Sequence, residues 1–150
     1  MNDKFLKPYN PGETEDKIYK IWEDSGFFNP DTCVEKGVTQ KDAEPFSIVL
    51  PPPNVTGTLH TGHASMLAIE DTIVRFQRMR GKKTLWIPGT DHAAIATQSK
   101  VEKIIEKEGK RKSDFTREEF LKRVNEFAQD SHDTIVKKNK KMGASLNWSR

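Results

Sequence analysis

Two imidazoles three residues apart, His60 and His63, close the run P-P-P-N-V-T-G-T-L-H-T-G-H at residues 51–63. An imidazole has an ordinary pKa near 6.5 and donates a hydrogen bond whether neutral or charged. Set in the first turn of a helix, two of them join unpaired N–H groups and the positive end of the helix dipole, which attract an anion. The chemistry this suggests is stabilisation of phosphate charge. A metal half-site is the competing reading of H-x-x-H, but a tetrahedral centre needs further ligands, and the chain has four histidines and one cysteine. No metal site is expected. Ordinary surface histidines are the third reading, weakened because a strand, a rigid loop, glycines and a helix start coincide here. A second polar point is Asp91 in G-T-D-H, residues 89–92. It reads either as a helix N-cap or as a carboxylate pairing with a ligand ammonium group.

The elements that must position these residues are legible from periodicity. Phe46 to Leu50 is apolar without polar alternation, which predicts a central parallel strand covered on both faces. Pro51, Pro52 and Pro53 end it, because proline donates no ladder hydrogen bond and holds the chain extended. Gly57 and Gly62 leave backbone room for a ligand. A helix is predicted from Leu59 to Met79, with Met66, Leu67, Ile69, Ile73, Val74 and Phe76 as its apolar face and Gly81 at its end. Arg75, Arg78 and Arg80 read as capping, solvent-exposed charges. A second strand, Thr84 to Ile87, leads into the G-T-D-H loop and a helix from Ala93 to Glu108.

Upstream, Pro11 to Ser25 is a capped amphipathic helix presenting Ile18, Ile21 and Trp22, and residues 27–44, with Cys33, read as a loop. Downstream, the capping box Thr116-Arg117-Glu118-Glu119 opens a helix to Met142 with a stripe of Phe120, Leu121, Val124, Phe127 and Ala128. Its basic end, Lys137, Lys138, Lys140 and Lys141, reads as solvated, with an RNA-backbone contact as the alternative. The order strand-loop-helix-strand-loop-helix predicts an α/β fold with parallel strands, right-handed crossovers and ligands outside the carboxyl ends of the strands.

At 150 residues, 34% apolar and 31% charged, the chain has a one-domain length. It holds no apolar run of about 18 residues to span a membrane, and Met1 to Phe5 lacks a secretory layout. A single cysteine excludes an internal disulfide and fits a reducing compartment, so a cytoplasmic protein is expected. Acidic residues outnumber basic ones over the first 60 positions and basic ones lead thereafter, for a net charge of +3. That is compatible with nucleic acid but falls short of a dedicated nucleic-acid-binding domain.

On these residues the chain resembles the class I aminoacyl-tRNA synthetases. His60-Thr61-Gly62-His63 stands at their H-I-G-H signature, and P-P-P-N-V-T-G together with G-T-D-H-A is similar to the valine-specific members. The similarity runs from Tyr9-Asn10-Pro11 to Asn147-Trp148-Ser149-Arg150. Asn147 stands where such proteins usually carry Asp, and Ala94 where many carry Gly. Lys141-Met142-Gly143-Ala144-Ser145 is not the second signature, K-M-S-K-S, because it falls at a helix end and not in a loop after a strand.

The resemblance implies a Rossmann-like parallel sheet with flanking helices, the first half of a catalytic domain over 46–150, preceded by an N-terminal helix and loop over 1–45. It implies activation of valine by ATP and transfer of the activated valine to tRNA(Val), with His60 and His63 stabilising the transition state. Thr56 and Gly62, with both histidines, would line the ATP site; Pro51, Pro52, Asn54 and Asp91 would hold valine. Mg²⁺ would come with the ATP phosphates, and the family is usually monomeric. The K-M-S-K-S loop, the editing domain and the anticodon-binding domain have no counterpart in the sequence, so an N-terminal fragment is expected. Two other functions remain open: a small nucleotidyltransferase using the same H-x-G-H turn, and a non-catalytic RNA-binding module.

Overall fold

The computed structural model describes residues 8–150. Met1 to Phe5, read above for a leader pattern, lie outside the described residues. The elements are α1 (Pro11–Ser25), α2 (Pro30–Glu35), β1 (Pro45–Val49), α3 (Thr61–Met79), β2 (Lys83–Ile87), α4 (Ala94–Lys107), a 3-10 turn (Lys112–Asp114) and α5 (Arg117–Lys141). The α/β expectation holds: β1 and β2 are parallel, paired from Pro45 with Lys83 to Val49 with Ile87, and α3 is the crossover. The described sheet has the two strands expected, but β1 alternates between exposed and half-buried residues, so it is not covered on both faces. The segment after α5 runs along the other side of β2, with the Asn147 N–H donating to Trp86 O at 2.9 Å.

The region read as loop contains α2, and its start was signalled by Asn29-Pro30. The Asn29 side chain accepts from the Asp31 N–H, and Pro30 sits where a helix needs no donor. Burial in this helix raises the pKa of Cys33, making it an inert thiol.

Three core assignments change. In α1 the buried residue is Tyr19, while Ile21 is 67% exposed. The reason is polar: the Tyr19 hydroxyl donates to Ala144 O at 3.0 Å and accepts from Trp148 Nε1 at 2.9 Å, so an aromatic with a polar tip fits where isoleucine would not. In α3 the core takes Leu67 and Val74, whereas Ile69 and Phe76 are 63% and 55% exposed. In α5 the buried stripe keeps Phe120, Val124 and Ala128 and continues to Ile135 and Asn139, leaving Leu121 outside.

Of the three arginines read as exposed caps, Arg80 is one, the exposed C-cap of α3, while Arg75 and Arg78 are engaged by side-chain and backbone partners. Arg78 is half-buried and donates to Ser145 O at 2.9 Å and Phe28 O at 3.3 Å; desolvation of its guanidinium pushes its pKa down to about 10. Arg75 pairs with Asp71, whose other oxygen accepts the Ser145 N–H at 2.9 Å. Two lysines of the basic end of α5 are likewise engaged, Lys140 with Glu23 and Lys141 with Asp16, and fasten α1. Trp86, fully buried under α3, donates Nε1–H to Glu70.

Candidate active site

The two motif loops leave the carboxyl ends of β1 and β2 and are stitched together. Asn54 and Asp91 form a parallel bridge in which the Val55 N–H donates to Asp91 O at 2.9 Å and the Asp91 N–H to Pro53 O at 3.0 Å. Three prolines prevent the ladder from continuing directly from β1; pairing resumes as soon as they end. Val55 is buried against Ala128 and Ile135 of α5, with Leu59 beside them, which seats the Pro-rich loop on that helix. Pro51, Pro52, Asn54 and Asp91 are exposed along this edge, and Thr56 is half-buried.

Helix α3 begins at Thr61, two residues later than periodicity suggests, because His60 is its N-cap and not a helical residue. The His60 Nδ1 accepts from the Gly62 N–H at 3.1 Å, and the His63 Nδ1 accepts from the His60 N–H at 3.3 Å. This is a capping box built from two histidines, with the rings 4.0 Å apart at 57°. It revises the anion-site reading in one respect. The Gly62 N–H is consumed by His60 and the His63 N–H by His60 O, so these backbone donors do not face a ligand. The outward donors are the imidazoles themselves: with both Nδ1 atoms accepting, each neutral ring carries its proton on Nε2. Partial burial, aided by the neighbouring His60, lowers the His63 pKa and favours this neutral state.

Beside the pair lies a cleft of about 480 Å³ bounded by Leu59, His60, His63 and Leu67 on one side and by Lys138, Asn139 and Met142 of α5 on the other. Gly62 has a local explanation here. A Cβ on it would stand 2.9 Å from His60 Cε1 and 3.1 Å from Nδ1, because the His60 ring folds back over the glycine. Gly62→Ala is therefore expected to displace the ring and cost about 1 kcal/mol, the typical worth of an N-cap, as measured by urea unfolding.

Asp91 does not cap α4; the N-cap is Ala93, which makes no side-chain cap bond. Asp91 Oδ1 instead accepts the Ala93 N–H at 2.8 Å. Ala93 holds φ 44°, the one left-handed non-glycine residue among the described residues. Such strain persists where surroundings over-determine it, and it adjoins the motif loop. Ala93→Gly should raise stability by about 0.5–1 kcal/mol, read as an increase in thermal midpoint. Sequence reasoning also passed over His132, whose Nδ1 lies 3.0 Å from Thr90 Oγ1. Only its spacing from Ala128 could have flagged it.

Comparisons with known proteins place the chain as a whole. Residues 17–150 fit the family described as tRNA synthetases class I (I, L, M and V), and the chain belongs to it. Among its curated relatives are the valine--tRNA ligase of Treponema denticola, 49% identical over 96% of this chain, and that of Chlamydia caviae, 44% identical over 99%. The Arabidopsis thaliana protein named valine--tRNA ligase, chloroplastic/mitochondrial 2, is 49% identical over 91% of the chain. The chain spans about 15% of the length of the first two and 13% of the third.

Proposed function

We propose that this chain carries the H-x-G-H half of the active site of an enzyme that activates valine with ATP and transfers it to tRNA(Val). The observation that carries this reading is the pair of histidines whose Nδ1 atoms accept backbone N–H groups at the start of α3, which leaves Nε2 of each as the free nitrogen, beside a bridged loop presenting Asp91. In the first step a carboxylate oxygen of valine attacks the α-phosphorus of ATP, and the bond to the bridging oxygen of pyrophosphate breaks. The products are valyl-adenylate and pyrophosphate; a ribose hydroxyl oxygen at the 3′ end of the tRNA then attacks the acyl carbon, the bond to the adenylate oxygen breaks, and AMP leaves with release of the hydroxyl proton.

Negative charge spreads over phosphate oxygens as that bond breaks, and preorganised donors there act most strongly in the transition state. His60 and His63 fill that role, while Thr56 and Gly62 border the nucleotide. Asp91 takes the valine ammonium group, with Pro51, Pro52 and Asn54 forming one wall for the side chain. Mg²⁺ would come with the ATP phosphates, where it would offset their charge, and the imidazole N–H groups would hydrogen-bond phosphate oxygens and not ligate the metal. On this reading residues 1–45 precede a catalytic half-domain at 46–150. No helix among the described residues is long and apolar enough to cross a membrane. A cytoplasmic location is part of the same proposal.

The test is valine-dependent exchange of labelled pyrophosphate into ATP by the protein expressed from its full reading frame. Exchange with valine supports the reading. Exchange with another amino acid alone overturns the specificity, and exchange with none, alongside retained RNA binding, favours the non-catalytic module.

A further inference from the structure

We infer that His132 is a positioning residue that sets the Gly89–His92 loop, and through it Asp91, for the amino-acid substrate. The inference rests on the function proposed above. Ala128, His132 and Ile135 recur at helical spacing on α5 and form one stripe. Its two apolar members, both buried, pack against Val55 of the Pro-rich loop. Its polar member, half-buried, meets Thr90 Oγ1 through Nδ1 at 3.0 Å. One face of one helix thus grips both motif loops at points on either side of the Asn54–Asp91 bridge.

Open space surrounds this contact. A cleft of about 340 Å³ bounded by Val55, His92 and Asn125 lies on one side of Thr90 and His132, and one of about 200 Å³ bounded by Pro88, Gly89 and Trp148 on the other. The loop is therefore not wedged by side chains at Thr90, and the hydrogen bond adds a tie to α5 beside the two backbone bonds that join Asp91 to the Pro-rich loop. Because Asp91 follows Thr90 directly, a shift of the loop moves the carboxylate against its ligand, and displacements of under 1 Å are costly in such sites.

The experiment compares variants in the full-reading-frame protein by pyrophosphate exchange. His132→Leu removes the contact while keeping bulk, and His132→Asn places an amide atom where Nδ1 stands, whereas His132→Gln places it near Nε2. We expect KM for valine to rise about tenfold in His132→Leu, the effect of one lost hydrogen bond, with KM for ATP within about twofold. His132→Asn should restore it and His132→Gln should not. Thr90→Val should match His132→Leu, and the double variant should be no worse than either alone.

An unmoved valine KM in His132→Leu, or equal performance of Asn and Gln, overturns the inference. A parallel rise of both KM values with a lowered thermal midpoint also overturns it, since packing alone would do that. A parent protein that exchanges with no amino acid overturns the functional reading and this inference with it; a parent that exchanges with valine while His132→Leu behaves as parent overturns this inference alone.

Discussion

His63→Ala is expected to lower kcat for valine-dependent pyrophosphate exchange by about 10²–10³-fold, the usual loss when one preorganised oxyanion donor is removed. Two functions of the ring are mixed in that number. Its Nδ1 closes the capping box on the His60 N–H, and its Nε2 is the nitrogen left to donate to a ligand. His63→Asn separates them, because an asparagine side-chain oxygen reaches the position of Nδ1 but offers nothing where Nε2 was. The asparagine variant should melt within a few degrees of the parent and still lose most of the activity. If it retains activity near the parent's, His63 is a cap and not a catalytic residue.

The same ring predicts an acid limit. Burial, then the adjacent His60, depresses the His63 pKa below its unfolded value, so the folded state prefers the neutral ring. Its contribution to stability is present above the ordinary imidazole pKa near 6.5 and is lost as pH falls through the lower folded value. Protonation of Nδ1 would oust the His60 N–H and open the box. Exchange activity should therefore hold from neutral pH down to the imidazole range and fall below it, and the acid limb should move in His63→Asn.

The parts of the fold that could be read in the sequence are those fixed by local chemistry. Prolines and glycines mark where β1 stops and α3 ends, and Thr116 with Glu119 forms the capping box expected of them. What stayed hidden depends on partners far away in sequence. Tyr19 is chosen over Ile18 and Ile21 for burial because Ala144 and Trp148 await its hydroxyl. Arg78 leaves the solvent because the carbonyls of Phe28 and Ser145 converge on it. The exposed apolar stripe of α3, including Ile69 and Phe76, has the periodicity of a core face, and periodicity alone cannot tell which face is covered. At the site the residue types and their clustering were legible, but the tautomers were not. They follow from Nδ1 geometry that no spacing rule encodes.

Asp91→Asn should raise KM for valine by about 10–100-fold with little effect on KM for ATP, because a charge-assisted hydrogen bond to an ammonium is worth about 1.5–3 kcal/mol. The substitution is close to isosteric, and its structural cost is small for a specific reason. Asp91 Oδ1 accepts the Ala93 N–H at 2.8 Å, and an asparagine carbonyl can accept the same bond. The bridge to Asn54 runs through backbone atoms and is indifferent to the side chain. Asp91→Ala differs on the first count, since it leaves the left-handed Ala93 without its side-chain acceptor and should lower the thermal midpoint as well as the affinity. Measured together, the pair separates charge from scaffold. A rise in valine KM common to both variants, with destabilisation confined to alanine, assigns the carboxylate to the ammonium group; an asparagine variant with the parent's valine KM assigns it to the loop alone.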